Sequence, residues 1–237
     1  LYVSLGRQLV PLVAEYRLEV QDKARDLLNM AVTLVQLEGR WEGFAPQLVA
    51  HNVILGEGDG AVRLDRFALV PDVSGSLLAR QLKLDTVELA GLHLGLVQTA
   101  EGKWRVDGLP ERADQPPLNL SQLITRLQSI GHLRLLDSQI TVEALDEAPL
   151  TLTYANLELH SLGQRLALDG RLLLPDGQPL SLHAEAQVQP TDWLASDAEL
   201  YLSLPQSDGA AWLPASLTGS WNLEQLQAGG EVWLDWR

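Results

Sequence analysis

From Leu180 to Gln189 apolar and polar residues alternate without a break: Leu180, Leu182, Ala184, Ala186 and Val188 against Ser181, His183, Glu185, Gln187 and Gln189. Successive side chains of a strand point to opposite faces, so this pattern describes strands with one dry face and one wet face. It recurs from Leu166 to Leu174, from Ala198 to Leu204, and in Val232, Leu234 and Trp236 with Glu231, Trp233 and Asp235 between. A sheet wet on one side is the expected product. Helical patterns are few and short, so little is left to cover the dry side. The fold class expected is therefore mainly β: a long, twisted antiparallel sheet curled into an apolar groove, with an N-terminal amphipathic helix and a few short helices.

Composition narrows what such a groove can serve. With 237 residues, 46% of them hydrophobic, the chain can bury a large core. The formal net charge is −14, and the only lysines are Lys23, Lys83 and Lys103, which argues against a nucleic-acid partner. There is no cysteine, so disulfides, thiolate chemistry and cysteine zinc sites are excluded. The chain is rich in leucine and has two phenylalanines, which gives an aliphatic lining with adaptable rotamers.

The chain reads as a single β-groove domain over residues 1–237, with residues 1–30 an N-terminal helix, 31–109 a first group of strands, 110–130 a linker and helix, and 131–237 a second group. It opens at Leu1 rather than Met, so we expect a piece of a longer protein. Leu1 to Ala14 is too short to cross a bilayer alone and is expected to be the stump of a membrane anchor or its neighbour. Glu15 to Met30 repeats Tyr16, Val20, Ala24, Leu27 and Leu28 at helical spacing among mixed charges. Pro110 to Asn119, with Pro116-Pro117, is the clearest break in composition. A short helix is expected after it, from about Leu120 to Ile130, and single helical turns near Thr191 to Ala195. Hairpin turns are expected at Asp176-Gly177 and Gly229-Gly230.

No catalytic or metal-ligating constellation is found, and no cofactor is expected. The five histidines, His51, His93, His132, His160 and His183, are assigned to separate strands or their ends, and no metalloprotease or nucleophile-elbow motif is present. Gly56-Glu57-Gly58-Asp59-Gly60 carries acids that would repel phosphate, and reads as a turn. Trp193, Trp212, Trp221, Trp233 and Trp236 crowd the last fifth of the chain, where packing accounts for them more simply than sugar stacking.

Several stretches together carry a resemblance. These are the opening helix, Leu37 to Pro46 with Asn52-Val53-Ile54-Leu55, Leu135 to Val142, Leu150 to Asn156, Gly163 to Leu168, Asp192-Trp193, Leu200-Tyr201, Ala211-Trp212 and the closing Gly229 to Trp236. In order and spacing they resemble the AsmA-like superfamily, specifically its YhdP branch. The resemblance implies a bridge-like lipid transfer protein of the Gram-negative envelope, periplasmic and anchored to the inner membrane. It implies non-enzymatic phospholipid transport towards the outer membrane along a β-groove, with acyl chains as the ligand and a possible inner-membrane protein partner.

The alternation then assigns the wall of the groove. Its candidate residues are Val62, Leu64, Leu166, Leu168, Leu172, Leu174, Leu180, Leu182, Val188, Leu200, Leu202, Leu204, Val232 and Leu234, with Ser181, Glu185 and Gln187 facing outward. Two rival readings stay open. One is a periplasmic assembly module, a closed β-sandwich that binds protein partners. The other is a carbohydrate-active β protein, which would need its acids and tryptophans in one cleft.

Overall fold

The computed structural model of the chain describes residues 14–28, 30–42, 45–58, 61–80, 83–102, 104–107, 128, 130–189, 196–209, 212 and 227–236. Helix α1 spans Arg17–Leu28 and helix α2 Val73–Ala79. The strands are β1 (Val32–Glu42), β2 (Ala45–Leu55), β3 (Val62–Pro71), β4 (Leu84–Ala90), β5 (His93–Gln98), β6 (Trp104–Val106), β7 (Ile130–Glu143), β8 (Leu150–Leu162), β9 (Arg165–Leu173), β10 (Pro179–Gln187), β11 (Asp197–Asp208) and β12 (Gln227–Trp236).

All the described strands belong to one 12-stranded sheet, in the order β1-β2-β3-β4-β7-β8-β9-β10-β11-β12, with β5 beside β3, β6 and β7. They do not divide into two facing sheets. The sheet is mostly antiparallel, as expected, with one exception: β7 runs parallel to both β4 and β5. Parallel neighbours require a crossover rather than a tight turn. Here residues 99–129, which include β6, lie between β5 and β7 in the chain.

A line of phase breaks crosses the first part of the sheet and shapes it. On β1 the inward residues are Val32, Leu34 and then Leu37; on β2, Leu55, Val53 and then Ala50; on β3, Val62, Leu64 and then Phe67. Each strand spends two successive residues away from the core, yet the ladder stays in step: Gln36, His51, Arg66, Ala90 and Leu136 are consecutive cross-strand partners at that level. The backbone shows the same line, with left-handed residues at Asn52 (φ 50°), Gly91 (φ 62°), Asp137 (φ 45°) and Tyr154 (φ 47°). Gly91 is doubly constrained, because a Cβ there would also fall 2.2 Å from an Asp65 carboxylate oxygen. Left-handed residues inside a strand bend it and increase its twist. Five strands, β1, β2, β3, β7 and β8, breaking phase at one level, with Gly91 beside them, give the sheet a crease.

Two apolar clusters line the inner side. The first joins Val32, Leu34, Leu37, Ala50, Val53, Val62, Leu64 and Leu92; the second joins Ala155, Leu172 and Leu174. Leu135 packs against both, so the apolar side is continuous. The opposite face is less uniformly wet than the alternation predicts, for Val49 and Ala68 are buried there at 0% and 1% exposure. They are cross-strand partners in a row whose next members are Glu38 and Glu88, each drawn into an ion pair, with Arg40 and Arg66 respectively.

Helix α1 fits its expectation, with Glu19 in the first turn and Arg25 in the last to complement the helix dipole. Val20 and Ala24 pack against the first cluster. The Leu34 N–H on the outer strand β1 donates to Gln21 Oε1 at 3.0 Å, and the Arg17 guanidinium donates to the Leu34 carbonyl oxygen. The sequence reading assigns no element to α2. Its N-cap is Asp72, whose side chain accepts from the Gly75 N–H at 2.8 Å, and Arg80 closes it in the left-handed region.

The hairpin at Asp176-Gly177 is as expected and is pinned to β11: Asp176 accepts from the Ser207 hydroxyl at 2.6 Å and the Asp208 N–H at 2.7 Å. Trp212 Nε1 donates to Ser207 Oγ at 2.8 Å, and its side chain packs on the second cluster. Gly229-Gly230, expected as a turn, lies inside β12 instead. A Cβ at Gly229 would meet the Pro205 carbonyl oxygen at 2.7 Å, beside the irregularity at Leu204/Ser207, so glycine marks a close approach there rather than a bend. Leu133–Leu136 and Ser138–Ala144, read as two strands, form the single strand β7, interrupted by the phase break at Asp137. The expected linker after Pro110, the Leu120–Ile130 helix up to residue 127, the turn near Thr191 and the Ser216–Leu226 strand fall outside the described residues.

Candidate functional site

Cross-strand partners share a face, so a chain of partners traced from strand to strand is a row of side chains running at right angles to the strands. One such row is Leu37, Ala50, Phe67, Leu89, Leu135, Leu157, Gly170, Leu182, Leu202 and Val232. Beside it lies Gly39, Leu48, Leu69, Val87, Leu133, Leu159, Leu168, Ala184, Leu200 and Leu234. Neither row contains a polar side chain. Strands lie about 4.8 Å apart, so each row extends for roughly 40 Å along the sheet.

On the other side of the crease the apolar face continues through Val53, Leu64, Leu92, Ala155, Leu172 and Leu180. Ser138, the cross-strand partner of Ala155, is 1% exposed and fully used: it donates to the Leu136 carbonyl oxygen at 2.8 Å and accepts the Leu92 N–H at 3.1 Å. Such a partnered hydroxyl leaves the surface effectively apolar.

The residues singled out from the alternation share this inner side where the ladders can be followed. Leu166, Leu168 and Leu172 face Ala186, Ala184 and Leu180; Leu182 faces Leu202; Leu200 and Leu202 face Leu234 and Val232. Val62, Leu64, Leu172, Leu174 and Val188 are buried, and Leu204 packs against the second cluster. Leu166, Leu168, Leu182, Leu200 and Leu202 are half-buried. Val232 and Leu234, on the outer strand, are 49% and 54% exposed. Cover therefore thins from the α1 end towards β12.

Sequence reasoning missed the members contributed by β7 and β8, among them Leu133, Leu135, Ile140, Leu152, Leu157 and Leu159. Alternation changes phase at Asp137 and Tyr154, so neither strand shows one unbroken apolar register. In β7 the break falls on Leu136 and Asp137, one apolar and one polar, so the strand's own sequence carries no signal of it.

The outer face carries charge in an ordered ladder. Glu88 pairs with Arg66 and lies 3.7 Å from Arg134, which lies 3.2 Å from Glu158. Further on, His183 Nδ1 lies 2.7 Å from Asp169 Oδ1, and Arg165 pairs with Glu185. The Glu185 carboxylate holds the Arg165 guanidinium above its usual value. The structure also brings together two histidines that the sequence kept apart: His132 and His160 are cross-strand partners with ring centroids 4.7 Å apart.

Among the described residues the acids do not assemble the cleft that a glycosidase needs. Glu185, Glu199 and Asp235 lie side by side in one row of the sheet, bordering a hollow of about 490 Å³ whose lining includes Arg165, rather than facing each other across a substrate. Among the described residues no group of three or more metal-ligating side chains forms a site. No helix among them is long and apolar enough to cross a membrane. What the geometry offers is a long apolar surface backed by a charged one.

No curated protein and no solved structure matches this chain. The profile of the YhdP protein family does, over residues 1–237, and with the single 12-stranded sheet and its early helix in place the chain belongs to that family.

Proposed function

We propose that the protein carries phospholipids between the inner and outer membranes of the Gram-negative envelope, without chemical change and without a cofactor, by letting acyl chains lie along its apolar rows while head groups remain in water. The observation that supports this reading is the pair of unbroken apolar rows. A row of about 40 Å is longer than one acyl chain, whose leaflet occupies about half of a 30 Å hydrocarbon core. Each methylene removed from water contributes about 0.8 kcal/mol, so six seated methylenes give about 5 kcal/mol without any polar contact. Successive aliphatic positions of similar character offer no deep well, which suits movement better than storage. On this reading the chain faces the periplasm, an anchor near its N-terminus holds it to the inner membrane, and an inner-membrane protein loads it.

Native mass spectrometry of the purified chain tests this directly. Phospholipid should accompany the wild-type protein and be depleted in Leu182→Asp. A folded wild-type chain that carries no lipid and takes none from vesicles would overturn the proposal.

A further inference from the structure

We infer that α1 is a displaceable stopper at the β1 end of the apolar face, and that an acyl chain passes this end by taking the place of Val20 and Ala24. The inference rests on the lipid-conduit reading above and adds a guard to one end of it. Three observations carry it.

Among the described side chains the helix is held along one stripe. Arg17, Val20, Gln21 and Ala24 follow one another at helical spacing, and of these Val20 and Ala24 bring apolar contact to the cluster; both are half-buried. Tyr16 and Leu18 are each 58% exposed and add nothing to the grip. A few methylenes of a lipid chain bury as much apolar area as Val20 and Ala24, which is what taking their place requires.

Both polar attachments fall on one residue of the outermost strand: Leu34 gives its N–H to Gln21 and accepts from Arg17. The N–H and C=O of an outer strand return to water when the helix leaves, so displacement strands no buried polar group. Meanwhile the free face of α1, with Glu19, Asp22, Lys23, Arg25 and Asp26, remains a soluble surface wherever the helix goes.

The cover is also one-sided. Helix α1 packs on β1, over the cluster that contains Val32, Leu34 and Leu37, whereas Val232 and Leu234 at the other end are about half exposed. The conduit is thus guarded at its β1 end.

The test maps lipid contact along the row. The chain is made with the diazirine analogue of leucine, which preserves side-chain shape, and is irradiated with dioleoyl phosphatidylglycerol vesicles; adducts are located by tandem mass spectrometry. The double variant Arg17→Ala/Gln21→Ala should raise adducts at Leu34 and Leu37, relative to those at Leu200 and Leu202, by about threefold to tenfold for each hydrogen bond removed. Ala24→Leu, which widens the apolar stripe, should lower them. Circular dichroism confirms the sheet in each variant. Adducts at Leu200 and Leu202 with no response at Leu34 and Leu37 would overturn the stopper alone. A chain without adducts at any position would overturn the conduit and the stopper together.

Discussion

Leu182 on β10 stands directly opposite Gly170 on β9, close enough that a Cβ on Gly170 would lie 2.8 Å from Leu182 Cγ and 2.6 Å from Leu157 Cδ2 on the other side. The two leucines close over the glycine, and the apolar row stays filled at its smallest member.

Gly170→Ala should therefore destabilise the protein by about 1–3 kcal/mol through overpacking, seen as a lower urea midpoint at unchanged slope. The double variant Gly170→Ala/Leu182→Ala should lose less than the sum of its parts, because the second change removes the clash created by the first. Strict additivity would show that the contact is not what constrains this site.

A charge on the inner face should block lipid, whereas one on the outer face should not. Leu182→Asp and Leu202→Asp place a carboxylate in the row, at a cost of several kcal/mol to any acyl chain that must lie beside it. Ser181→Asp, next along β10 and opposite Arg171, should keep lipid occupancy. Circular dichroism separates blockage from misfolding, and lipid phosphorus per mole of folded protein gives the readout.

At the crease, Asn52 adopts φ 50°, a conformation that asparagine tolerates and β-branched residues resist. Asn52→Val should cost about 1–2 kcal/mol, while Asn52→Gly should be near neutral. Chemical denaturation measures both, and equal losses would mean that the side chain rather than the backbone matters there.

Burial works to raise the Asp176 carboxyl, but hydrogen bonds from the Ser207 hydroxyl and from the Asp208 and Gln178 backbone N–H groups outweigh it and hold the group below its usual value. Its contribution is therefore complete above about pH 4 and is lost as the pH falls through the lowered value. Acid titration followed by the Trp212 indole N–H resonance should show the clasp opening in that window. In Asp176→Asn the resonance should lose this acid dependence; an unchanged transition would assign it to other carboxylates.

Legibility from sequence followed phase. Strands β9 to β11 alternate without a break across Leu166–Leu172, Leu180–Ala186 and Ala198–Leu204, and their inner residues could be read directly. In β1, β2, β3, β7 and β8 the period-two rule fails at one level, because pairs such as Asp65 and Arg66 both leave the core. That break is set by neighbouring strands bending together, and no single-strand pattern encodes it. The parallel placement of β7 was equally hidden, since antiparallel and parallel pairing share the same alternation. The pairing of His132 with His160 depends on ladder register, a long-range quantity. Helix α1 was legible because its spacing and charges are local.

Because every strand on the main path gives one residue to each row, the extent of this surface is counted in strands and not in residues. Inserting a single residue would throw a strand out of phase with all its neighbours, whereas inserting a whole hairpin would leave every existing partner in place and lengthen each row by about 10 Å. A sheet built this way is lengthened by duplication of hairpins, with the slope and character of its wall unchanged.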